Sequence, residues 1–363
     1  MKLSLANRYS VLWVVLTVAA LLVFDTSSAV AQQAEGAPDI SWWEIGLTLT
    51  GGLILFLYGV NQLAVRLKEV GSDKLKSVLR ASSSDRVRGL ASGTVVTVLL
   101  DSSSAVIILV IALVDANLIR FSAALPVILG SNIGTTFSSQ IFALNADSLA
   151  PILLALSFLS TLLAKSDGVR KWSWVVFFLG MVLFGLSVVG LAVEPLRDVP
   201  AIKEWLARFE APLLGVLAGA AATAALQSSS AMMGLIIVLA GEGLISLPAG
   251  LALMLGAEIG TCADTLVATF GRSRDAVRAG VFHLLFNVTS VAIGLMLLAP
   301  LARLATFSAG EVSQQIANAH VAFNVGGALL FLIFTPWAAK ALERMIPDGG
   351  APAEPKPLAA ESA

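Results

Sequence analysis

Charge is what this 363-residue chain has least of. Asp, Glu, Lys and Arg together make up 13% of it, against roughly 25% in a soluble domain. Hydrophobic residues make up 57% and mean hydropathy is +0.87. That excludes an ordinary soluble globule and leaves an all-α polytopic membrane protein. A single cysteine, Cys262, excludes an intrachain disulfide framework and a cysteine-based metal cluster. The formal net charge of −1 gives no sign of a nucleic-acid partner. Lysine and arginine are missing from 89–119, 121–164 and 209–271. An anion held there cannot be neutralised by an arginine fork.

Long apolar runs occupy 44–65, 121–143, 149–164, 172–193, 248–270, 279–299 and 315–339. Two further segments, 89–119 and 212–245, are interrupted by polar clusters. Residues 89–100 supply only 12 helical positions, about 18 Å at 1.5 Å each, where a hydrocarbon core needs about 30 Å. Each interrupted segment is therefore read as a re-entrant hairpin of two half-helices. At the N-terminus, Lys2 and Arg8 precede an apolar core from Val11 to Phe24, followed by "SSAVA". This reads as a signal peptide over 1–31, with Trp42 and Trp43 left at the outer interface. A final transmembrane helix at 313–339 and a disordered cytoplasmic tail at 347–363 complete the chain. Threading from outside places 17 Lys/Arg inside and four outside (Arg197, Lys203, Arg208, Arg303), as the positive-inside rule requires. The predicted location is a bacterial inner membrane, surrounded by lipid bilayer.

The chain repeats itself. Residues 89–144 align without a gap onto 215–270 at a constant offset of 126, with 20 identities in 56 positions. Two repeats follow, 44–164 and 172–299. An odd number of spans separates their starts, so the second copy is inserted upside down. Inverted repeats with broken helices are the mark of a secondary transporter whose site lies at the midplane.

Polar residues concentrate at two places in each repeat. "TVLLDSSSAVII" (97–108) and "TAALQSSSAMMG" (223–234) bury serine triplets in mid-segment. Serine is a natural helix N-cap, and a half-helix starting there presents free N–H groups and a positive dipole end. Ser102, Ser103, Ser104, Ser228, Ser229 and Ser230, joined by Gln227, make a cradle for a small oxyanion. With no basic residue nearby, a co-bound cation must balance the charge, which favours ion-coupled symport. "GSNIGTT" (130–136) and "GAEIGTC" (256–262) offer hard oxygen ligands for it: Asn132, Thr135, Thr136, Glu258 and Thr261, with Asp264 just beyond. The glycines of the same motifs serve equally as close helix contacts. Asp101 and Glu258 are carboxylates within the membrane without a basic partner in their segments, and such groups are functional by default.

These motifs resemble those of the type II sodium/phosphate cotransporters and their bacterial relatives, over roughly 46–335. That family carries QSSS in each of two inverted repeats, followed by Gly-x-Asn-Ile-Gly-Thr-Thr; Gln227–Ser230 and Gly130–Thr136 match. The resemblance implies symport of inorganic phosphate with Na+, with the serines near phosphate and neighbouring polar groups near sodium, and no cofactor. Asp101 departs from the pattern at the first glutamine, and Glu258 stands where asparagine is usual. Two alternatives follow: the same scaffold carrying another small anion, or coupling to H+ through Asp101 and Glu258. An intramembrane serine hydrolase is a further alternative from another class, needing a base beside one serine. Against it, the serines are duplicated and both histidines lie in later helices. "HLLFN" (283–287) and "HVAFN" (320–324) place His and Asn on one helix face, read as interhelical hydrogen bonding. The oligomeric state is not fixed by the sequence, which is compatible with a homodimer.

Overall fold

Hydrocarbon offers a backbone no hydrogen-bond partner, so a spanning chain must satisfy its own N–H and C=O groups. The computed structural model is accordingly helical throughout residues 41–82, 85–144 and 149–347, the described part of the chain, with no strand among them. The signal peptide expected at 1–31, and the tail beyond 347, lie outside the described residues. The long helices are α1 (Trp42–Ser82), α2 (Arg86–Leu100), α3 (Ser103–Asp115), α4 (Phe121–Phe142), α5 (Leu149–Leu163) and α6 (Asp167–Val193). A short 3-10 turn (Glu194–Asp198) leads into α7 (Pro200–Ala207), and a second (Arg208–Glu210) into α8 (Pro212–Leu226), followed by α9 (Ser229–Gly241), α10 (Leu247–Gly260) and α11 (Cys262–Val267). α12 (Arg274–Met296), α13 (Leu298–Ser308) and α14 (Val312–Met345) follow.

The two interrupted segments break where the polar clusters stand. α2 and α8 start and end 126 residues apart, and so do α3 and α9. Each pair folds back as a hairpin. Asp85, before α2, and Arg120, after α3, line one pocket together with Thr335 of α14. At the second hairpin, Ser246 Oγ after α9 donates to Glu210 Oε1 before α8 at 2.6 Å, and Gly241 faces Ser313 at the start of α14. The two hairpins therefore open towards opposite ends of α14.

Glycine contacts hold the helices at short range. α1 and α6 run antiparallel, with Gly52 against Val189, Gly59 against Val182 and Gly185 against Phe56. In the first repeat a Cβ on Gly93 would collide with the carbonyl of Val127, and one on Gly130 with that of Leu90. In the second repeat, Gly219 meets the Leu253 carbonyl and Gly256 the Val216 carbonyl. These are the same contacts 126 residues on. Small residues at such crossings replace the hydrophobic drive that lipid cannot supply.

The basic stretch after residue 65 continues α1 as helix to Ser82. Two features differ from the sequence expectation. α5 has 15 residues, about 22 Å of rise, short for a full crossing. α7 and α13 were not anticipated. The segment Pro200–Glu210 bends 99° from α8, and α13 leaves Phe307 97% exposed, so both are too short and too polar to register as spans. Contacts also gather basic loops at one end. Asp115 pairs with Arg272 at 3.3 Å, and the buried Arg278 donates through Nε (2.9 Å) and Nη2 (2.6 Å) to the Ile346 carbonyl that ends α14.

Gly93→Ala and Gly219→Ala should each destabilise the protein by about 1–3 kcal/mol through overpacking. Gly46→Ala, where a Cβ meets nothing within 4 Å, should be neutral. Thermal unfolding of purified variants in detergent checks both; equal melting temperatures would remove the close-crossing argument.

Candidate substrate and cation site

Each break is built the same way. α2 ends at Asp101 in the left-handed region (φ 48°), and α8 ends at Gln227 likewise (φ 55°). Left-handed C-caps reverse the chain without leaving carbonyls stranded. The next residue, Ser102 or Ser228, is extended and N-caps the following half-helix: Ser102 Oγ accepts from Ala105 N at 3.2 Å, and Ser228 Oγ from Ala231 N at 3.1 Å. The N–H groups of Ser103, Ser104, Ser229 and Ser230 stand in the first turns, where no helical carbonyl reaches them. Ser103 and Ser230 are buried; Ser104 and Ser229 are half-buried. The polar run is thus two helix starts in mid-segment, each with hydroxyls and unpaired amides on it.

The breaks differ in access. Gln227 is exposed, whereas Asp101 is half-buried and accepts a hydrogen bond from Ser138 Oγ of α4. At the equivalent positions of the second repeat stand Gln227 and Asp264, so each repeat keeps one carboxylate in this pair but on opposite partners. Asp264 is half-buried on α11.

The second motif turns inwards. Asn132 donates Nδ2 to Ile128 O at 3.0 Å; Thr135, Thr136 and Thr261 donate to Asn132 O, Ile133 O and Ala257 O on their own helices. Their hydroxyl oxygens retain lone pairs. One turn before each break, Thr97 and Thr223 carry buried hydroxyls with no partner, packed against Gly134 and Gly260. An orphaned buried oxygen in each repeat is what an oxygen-coordinated cation or a water would complete.

Glu258 does not lack a partner, contrary to the reading from its own segment. His320 Nε2 lies 3.0 Å from its Oε1, and Asn324 Nδ2 donates to the same oxygen at 2.6 Å. His320 Nδ1 in turn meets Ser139 Oγ at 2.7 Å. α4, α10 and α14 are joined by this buried chain. The other histidine uses the equivalent hydroxyl: His283 Nδ1 lies 2.8 Å from Thr265 Oγ1, leaving Nε2 buried and unpaired. The His-x-x-x-Asn motifs are thus interhelical ties. Sequence reasoning missed Ser138, Ser139 and Thr265 because their partners lie far along the chain; the 126-residue offset between Ser139 and Thr265 was the available signal. Ser139, His320 and Glu258 form a serine–histidine–carboxylate chain. Ser139 is fully buried in the last turn of α4, where neighbouring amides are spent on helical bonds, so it has neither access nor an oxyanion hole. The six cluster serines have no histidine partner among the described residues.

Comparison with known proteins agrees with this architecture. A sequence model of the family described as "Na+/Pi-cotransporter" matches residues 55–190 and again 198–333. The uncharacterised protein YqeW of Bacillus subtilis is 28% identical over 302 residues, covering 83% of this chain and 98% of YqeW. YjbB of Escherichia coli, named as a candidate inorganic phosphate exporter, is 26% identical over 307 residues, which is 83% of this chain and 56% of YjbB. This chain thus spans about half the length of that relative. Rat sodium-dependent phosphate transport protein 2A is 34% identical over 98 residues, 26% of this chain and 15% of the rat protein. No solved structure matches. With one match on each hairpin-bearing half, this chain belongs to the Na+/Pi-cotransporter family.

Proposed function

We propose that this protein is a sodium-coupled symporter taking up inorganic phosphate. The observation that carries the reading is the pair of half-helices, α3 and α9, that begin at serine triplets within membrane segments free of Lys and Arg. Helix N-termini and hydroxyls are the donors left for a small oxyanion. They cannot cancel its charge fully, and a cation must travel with it. Phosphate as cargo is supported by family membership and by the names of the relatives. Ser102–Ser104 and Gln227–Ser230 are the proposed phosphate contacts. The cation is assigned to oxygens around the breaks: Asp101, Asn132, Thr135, Thr136, Glu258, Thr261 and Asp264.

The opposite openings of the two hairpins support alternating access by inverted repeats. The basic loops support, by the positive-inside rule, a cytoplasmic place for the end bearing Arg120, Arg272 and Arg278. The mature N-terminus is then outside, in an inner-membrane protein. The exposure of Gln227, against half-buried Asp101, supports the second break as the more open of the two.

A second reading is favoured by one contact. Glu258 shares a buried interface with His320, an acid–imidazole pair able to carry a proton, and coupling would then follow H+ in place of Na+.

Proteoliposomes loaded with purified protein separate these. Labelled phosphate should enter under an inward sodium gradient and not when potassium replaces sodium. Gln227→Ala should cut that flux roughly tenfold or more, the loss of a hydrogen bond to a charged group. Flux that follows a pH gradient in sodium-free medium, and is abolished in Glu258→Gln, would establish the proton reading instead. No phosphate flux in either direction under either gradient, from monodisperse protein, would overturn phosphate as the cargo.

A further inference from the structure

One cavity lies away from the breaks. It has a volume of about 670 Å³ and sits between the start of α2, the α3–α4 turn and α14. Arg86 and Arg120 line it, with Ser122, Pro126, Thr335 and Pro336. Thr335 is 15 residues beyond His320 on α14, about 22 Å along the axis. The cavity is therefore at the end of the bundle and not at the transport site.

Its chemistry is the reverse of that site. There, no Lys or Arg is present; here two arginines are exposed, neither within 4 Å of a carboxylate among the described residues. The one carboxylate of the lining, Asp85, acts on Arg86, and the lining still carries a net positive charge. Asp85 also lines the cavity, but its Oδ1 accepts from Val87 N (2.7 Å) and Arg88 N (3.1 Å), capping α2. The first turn of α4 opens on the same space through Ser122 and Ala123, and its N-cap Arg120 makes no side-chain cap bond. The remaining wall is apolar: Leu118, Pro126 and Pro336. Beside it, Ile333 (60%), Phe334 (46%) and Trp337 (62%) are exposed on α14, in a helix that must face lipid. A tryptophan at that level marks the headgroup zone. The cleft is partly open and roomier than a phosphate ion needs.

We propose that this cavity binds the headgroup of an anionic phospholipid in the leaflet on the basic side of the protein. Arg86 and Arg120 hold the phosphodiester, the α4 N-terminus adds the Ser122 amide, and the acyl chains run from the cavity along α14 past Phe334 and Ile333. Basic pockets between transmembrane helices take lipid phosphates on these terms. A free phosphate ion would use the same two arginines but none of the apolar wall.

Native mass spectrometry of the full-length protein in neutral detergent tests this with defined lipids. Phosphatidylglycerol should be retained roughly tenfold or more over phosphatidylcholine. Arg86→Gln/Arg120→Gln should reduce its retention to the phosphatidylcholine level. Arg86→Lys/Arg120→Lys should keep most of it. Lys340→Gln/Arg344→Gln, removing two charges at the same end outside the cavity, should leave it unchanged. Selective retention that survives in Arg86→Gln/Arg120→Gln, with that variant monodisperse, overturns the site. Displacement of phosphatidylglycerol by inorganic phosphate alone would make the cavity a vestibule for the free anion and overturn the lipid assignment. Phosphate transport need not be assumed in any arm.

Discussion

Every buried backbone group in this protein must find a partner within the protein, and the structure depends on how that constraint is met at two places where helices stop inside the bilayer. A helix end carries four unpaired amides or carbonyls, costly in hydrocarbon. The chain turns once through a left-handed residue, Asp101 or Gln227, and restarts on a capping serine, Ser102 or Ser228. That leaves a few amides unpaired on each restarted helix. Those amides are the donors on which the proposed phosphate site rests.

A broken helix is weak unless something holds both halves. Here the hold is steric and comes from glycine. Gly93 and Gly130 bring α2 onto α4, and Gly219 and Gly256 bring α8 onto α10, at distances where a methyl group would strike a carbonyl. The two repeats share this frame but not their charges. Asp101 faces Ser138 in one, while Gln227 and Asp264 take those positions in the other. Asn132 bonds within its own helix, while Glu258 at the equivalent position reaches α14. A symmetric scaffold thus carries an asymmetric set of carboxylates, which lets one half differ from the other in what it holds.

Much of this was legible from residue order. The helical class, the paired breaks and the glycine crossings follow from hydropathy, segment length and the 126-residue offset, because each is a local or periodic property. The capping role of the serines was legible for the same reason, since a cap joins residues three apart. α7 and α13 were not, being short amphipathic pieces below any spanning threshold. Nor was the burial of Glu258 against His320, 62 residues later; no local pattern says which face of α14 turns to α10.

The sequence by itself determined where helices break, because serine and the absence of compensating charge act within one turn. Tertiary structure alone decided which polar groups the breaks meet. Asp101 meets Ser138, Glu258 meets His320 and Asn324, and His283 meets Thr265 through Nδ1 alone. The side-chain oxygens of Thr97 and Thr223 are left without partners. Those pairings depend on the rotation and depth of packed helices, and they are fixed only when glycine contacts across the bundle set the distances.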